Sequence, residues 1–138
     1  MPTVHRAFFF LLAAAILVAS TAPASAQADR RTLSQVSQLI LNSYKHLSEG
    51  NDVEAARADC KKAQAIEEKT DDPFITAAVA VCFGDVEDHE ENTDAACKHY
   101  AEALKNFQAV PAKHSASRTV KTHMNVTKGK QLTLACGA

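Results

Sequence analysis

Ala95-Ala96-Cys97-Lys98-His99-Tyr100-Ala101-Glu102-Ala103-Leu104 is the stretch from which the rest of the chain can be read. Ala96, Tyr100 and Ala103 stand at i, i+4 and i+7, so a helix gathers them into one small–large–small stripe. Forty positions earlier, Ala55-Ala56-Arg57-Ala58-Asp59-Cys60-Lys61-Lys62-Ala63 puts Ala56, Cys60 and Ala63 in the same three places. Two matching helices at a fixed offset predict a repeated helical hairpin.

Each of these helices needs a partner before it. Val36, Leu39, Ile40, Ser43 and Leu47 fall on one face at helical spacing, with Tyr44 beside them. Thr32 or Ser34 is the expected cap of this first helix, and Gly50-Asn51 its end. Asp52 caps the second, whose inner stripe is Val53, Ala56, Cys60, Ala63 and Ile66. Arg57, Lys61, Lys62, Glu67 and Glu68 face outward. Asp72 before Pro73 pairs an N-cap with the proline-tolerant first helical position. From Pro73 to about Phe83 nearly every residue is apolar or small, which predicts a third helix at the centre of the domain.

Gly84 reads as the end of that helix, and Asp85 to Asp94 as an acidic loop with six carboxylates. The alternating oxygen ligands of a calcium loop are absent from it, so a solvated connection is expected. Thr93 or Asp94 then caps a fourth helix to about Gln108, with Ala96, Tyr100, Ala103 and Phe107 inward and Leu104 alongside. After Pro111 a fifth helix is expected from about Ser115 to Ala135, on the stripe Val120, Met124, Thr127 and Gln131, interrupted by Gly129. The fold class is all-α: two antiparallel helical hairpins and a C-terminal capping helix.

The two ends of the chain set its address and its staples. Ala7 to Val18 is an uninterrupted apolar run, and Ala24-Ser25-Ala26 follows it. That plan predicts a signal peptide over 1–26, cleaved before Gln27, and a single domain over 27–138. The run is too short to span a membrane, which needs about 20 apolar residues. The protein is expected to be periplasmic or secreted, without stable membrane insertion. With 15 Lys and Arg against 16 Asp and Glu, it has none of the basic excess of a nucleic-acid binder. Cys60, Cys82, Cys97 and Cys136 all fall in the mature part without a Cys-x-x-Cys pair, which favours two disulfides over zinc. In an up-and-down arrangement Cys60 and Cys82 lie at similar heights, roughly 3 Å apart. That leaves Cys97 with Cys136. The rival pairing is Cys82 with Cys97 and Cys60 with Cys136. The same arrangement brings Lys128 and Lys130 toward the acidic segment.

Helix, glycine turn, Ala-rich helix and proline before the next helix resemble tetratricopeptide repeats. Phe74, Ala78, Gly84, Ala96, Tyr100 and Ala103 match the aromatic, small, turn and stripe positions of one repeat. Gly50, Ala56 and Ala63 match in the first hairpin, where Cys60 replaces the aromatic. The forty-residue offset exceeds the usual thirty-four, and no third repeat follows. The chain is also similar to small exported helical proteins of proteobacteria. In such repeats the first helix of each hairpin lines a groove. The resemblance therefore implies a protein or peptide partner contacted by Asn42, Lys45, His46, Thr76 and Val79.

No arrangement for chemistry stands out. The histidines are scattered, the cysteines are expected to be oxidised, and phosphate-loop and hydrolase signatures are absent. The reading is a non-enzymatic binding module without cofactor or metal. The alternatives are a carrier of a metal or small ligand, using His46, His99 or His123 with the acidic segment, and an inhibitor of another exported protein.

Overall fold

The computed structural model describes residues 24–137, and most of the predicted leader, including Ala7–Val18, lies outside them. Those residues form five α-helices: α1 (Ala24–Lys45), α2 (Val53–Glu67), α3 (Pro73–His89), α4 (Thr93–Gln108) and α5 (Ser117–Thr133). There is no strand among them. A π-helical turn, His46–Gly50, prolongs α1. The helices alternate in direction. Val36 packs with Ala63 and His46 lies by Asp59; Arg57 pairs with Glu87 and Glu67 meets Thr76; Phe74 meets Phe107 and Gly84 meets Tyr100; Phe107 meets His123 and Cys97 is bonded to Cys136; so each helix runs antiparallel to the next.

The stripes read from the sequence are the core. Ala56, Cys60 and Ala63 of α2 and Ala96, Tyr100, Ala103 and Phe107 of α4 are buried. Val36, Ser43 and Leu47 are buried on the first helix and its π turn. Central α3 supplies residues to all three apolar clusters. Cys82 and Val86 join Leu47, Ala56 and Cys60. Ile75 and Val79 join Val36 and Ala63. Phe74, Ala77 and Ala80 join Ala103 and Phe107. A helix that must bury nearly its whole circumference cannot have a polar face, which is why Pro73 to Phe83 reads as it does.

Local signals set several ends. Asp52 accepts from the Ala55 amide at 2.9 Å, and Asp72 accepts from the Phe74 amide at 2.9 Å. Thr70 closes α2 by donating to the Glu67 carbonyl. Both disulfides of the favoured pairing are present, Cys60–Cys82 between α2 and α3 and Cys97–Cys136 between α4 and the turn after α5.

Three expectations change. Thr32 and Ser34 do not cap α1, which begins at Ala24 and runs through both. The fourth helix has Asn92 at its cap position, and the Asn92 amide donates to Glu87 instead of capping. The largest change is at Gly84, which is buried inside α3 and not at its end. A Cβ there would lie 2.5 Å from Cε1 of Tyr100, so the glycine is a close crossing of α3 and α4. Asp85 to His89 continue the helix because Val86 is buried and Asp85 and Glu87 have partners. Asp85 pairs with Lys130 and accepts from the Tyr100 hydroxyl at 2.8 Å. Glu87 and Glu90 pair with Arg57, which is half-buried rather than simply outward. The turn is made at Glu91, with φ 61°. The long offset between the hairpins thus comes from a longer helix, not from a loop.

Candidate functional groove

With α2 on one side of α3 and α4 on another, one stripe of α3 stays open. Phe74, Ala78, Val81 and Asp85 follow one another at i, i+4, i+7 and i+11 and line a cleft of about 340 Å³. One wall is α1, through Ser37, Ile40, Leu41 and Tyr44. The other is α5, through His123, Val126 and Thr127. All three helices run in the same direction, because α2 and α4 are the return arms. The cleft is therefore a groove along the bundle. Its rim is apolar and open to solvent: Leu41 is 47 % exposed, Tyr44 60 % and Val126 55 %.

At the upper end the groove widens into an open mouth. Tyr44, Ser48, Asp85, Asp88, His89, Glu91 and Lys130 surround it. Tyr44 and Asp85 belong to both parts, so apolar floor and charged mouth are continuous. Lys130 lies 5.6 Å from the centroid of the Tyr100 ring and pairs with Asp85. Burial, with Asp85 beside it, pushes the Tyr100 phenol well above its ordinary range, so it stays a hydrogen-bond donor. The hydrogen bond from Arg57 holds the Glu87 carboxyl below its ordinary range. Lys128, expected with Lys130 near these carboxylates, is exposed and makes no ion pair among the described residues.

The lower half of the groove is built around Phe74. His123 stacks on Phe107, with centroids 5.6 Å apart, and meets Phe74 edge-on at 5.4 Å. Partial burial against the two rings lowers the His123 pKa, although the residue stays exposed on its other side. His114 lies 5.9 Å from Phe74 and 2.9 Å from Asp72 through Nε2. Its Nδ1 accepts from the Ala116 amide, so Nε2 carries the proton given to Asp72.

The five predicted contact residues lie on α1, its π turn and α3. Val79 is buried, 4 % exposed, in the cluster of Val36, Ala63 and Ile75, so it is unavailable to a partner. Thr76 turns toward α2, donating to Glu67 at 3.0 Å. Asn42 accepts from Gln38 on the surface of α1, and Lys45 is exposed beside Tyr44. His46 lies 3.5 Å from the buried Asp59. None of the five lines the groove. The signal that could have found it is Leu41 with Tyr44, large apolar residues outside the core stripe of α1.

The histidines of the carrier alternative are not brought together. His46 faces Asp59, His99 stacks on Phe83 at 5.7 Å, and His123 packs between Phe74 and Phe107. Among the described residues no group of three or more His, Cys, Asp or Glu is placed to hold a metal ion. No helix among them is long and apolar enough to cross a membrane. Two disulfides in so small a domain point to an oxidising compartment. Compared with known proteins, the chain matches no family model, no curated protein and no solved structure.

Proposed function

We propose that the protein is an exported, non-enzymatic binding module that receives a protein segment in the groove between α1 and α5, over α3. The observation that carries this reading is the exposed apolar rim formed by Leu41, Tyr44 and Val126 around the half-buried floor of Ala78 and Val81. Scattered exposed apolar residues are ordinary, but a contiguous set around a concave floor marks a docking surface. The use of the first helix of each hairpin together with the capping helix agrees with a tetratricopeptide-like role. Binding is favoured over catalysis because the histidines are spent on packing and single hydrogen bonds. Export is supported by the disulfides and by the predicted leader.

A photoactivatable phenylalanine placed at position 126 tests this in the exporting cell. Position 62, on the outer face of α2, is the control. A discrete cross-link from 126 that disappears with Leu41→Asp, with none from 62, is the expected result. Equal labelling from both faces, or insensitivity to Leu41→Asp, would overturn the reading.

A further inference from the structure

The charges at the groove's mouth say what kind of segment fits, given that the groove is the binding site. Six carboxylates lie between Asp85 and Asp94, and three of them have ion-pair partners within the fold, two of them sharing one guanidinium. Lys130 holds Asp85, and Arg57 holds Glu87 and Glu90. Asp88, Glu91 and Asp94 have no ion-pair partner among the described residues. Two of these three, Asp88 and Glu91, line the mouth. There they stand with Asp85 against a single ammonium, that of Lys130, which is already paired. The mouth is left net negative, directly against an apolar floor.

The walls rule out one form of occupant. They are helices whose backbone N–H and C=O groups are bonded within each helix, so strand addition has no edge to use. Recognition must come from side chains seated on the stripe Phe74, Ala78, Val81 and Asp85. That stripe extends roughly 16 Å along α3 at 1.5 Å per residue, the length of about three helical turns. We infer that the groove takes an amphipathic helix of a partner protein, with apolar anchors at i, i+3, i+4 and i+7 and Lys or Arg at the end that meets Asp88 and Glu91. The apolar anchors supply the burial, and the two carboxylates fix the orientation and disfavour acidic partners.

The test uses the mature chain and two fluorescent helical peptides. Both carry Leu at i, i+3, i+4 and i+7; one ends in two Lys and the other in two Glu. Anisotropy titrations at low ionic strength should show the Lys peptide binding about fivefold to tenfold tighter, a margin that salt narrows. Asp88→Asn with Glu91→Gln keeps the shape of the mouth and should erase the preference without abolishing binding. Leu41→Asp with Val126→Asp should abolish binding of both peptides, circular dichroism showing that this variant remains helical. Equal affinity for the two peptides, still lost on Leu41→Asp with Val126→Asp, would overturn the basic-helix inference and leave the groove reading standing. Binding that survives Leu41→Asp with Val126→Asp would overturn the groove reading itself. No binding of either peptide to the unmodified chain would overturn the inference. A dimer of the peptide-free protein that Leu41→Asp dissolves would also overturn it, by assigning the groove to a second copy.

Discussion

Gly84 shows how one missing side chain sets a helix crossing. Tyr100 is fully buried, and its ring edge occupies the space a Cβ at position 84 would need. The ring cannot swing aside freely, because its hydroxyl is tied to Asp85. Gly84→Ala is therefore expected to destabilise the domain by about 2 kcal/mol, although alanine is the better helix former. The urea midpoint measures it, and an unchanged or raised midpoint would mean the two helices part at no cost. His123 gives a second single-residue prediction. His123 keeps more than a third of its surface open to solvent, so the partial desolvation it gains against Phe74 and Phe107 lowers its folded pKa from the ordinary 6.5 only within the limits of solvent screening, and the unfolded chain takes up the proton first. Its contribution is complete above about pH 6.5 and is lost as pH falls through that value toward the folded pKa. Asp85 is the carboxylate lining the same cleft. Replacing the imidazole, as in His123→Phe, should flatten the decline in melting temperature on the acid side. A parallel decline in wild type and variant would place the sensitivity elsewhere.

At the scale of the helices, what could be read in the sequence depended on contrast between faces. α2 and α4 alternate small apolar residues with charges, and their inner stripes are where the spacing put them. α3 has no such contrast. Its composition announces a central position but gives no phase, so only the repeat resemblance names Val79 as a partner contact; Val79 is buried, and Ala78 and Val81 line the groove. Gly84 and the carboxylates after it look like a break because their partners, Tyr100, Arg57 and Lys130, are distant in sequence. The same partners decide how α5 is held. Cys97–Cys136 closes 39 positions and should contribute about 3–4 kcal/mol, whereas the Lys130–Asp85 pair, partly exposed, should contribute about 1 kcal/mol. Replacing Cys97 and Cys136 by serine is thus expected to lower stability more than Lys130→Glu. Only Lys130→Glu, and not Lys128→Glu, should speed amide exchange near the end of α5 with the disulfide intact. Equal exchange in the two lysine variants would show that apolar contacts and the disulfide alone hold this helix.

Across the whole molecule, two return helices and two disulfides leave three parallel helices facing one groove. α2 and α4 cover α3 from behind, Cys60–Cys82 fixes the first hairpin against the second, and Cys97–Cys136 fixes α5 beside α4. What remains open is an apolar channel with an acidic mouth, whose floor shares Phe74 with the core and whose rim of Leu41, Tyr44 and Val126 is exposed. Hydrogen–deuterium exchange of the protein, alone and with the Lys-ended helical peptide, tests this account most directly. Protection is predicted along residues 37–48 of the first helix and its π turn, 78–88 of α3 and 123–130 of α5, with the outer faces of α2 and α4 unchanged. Protection confined to α2 or α4 would contradict it.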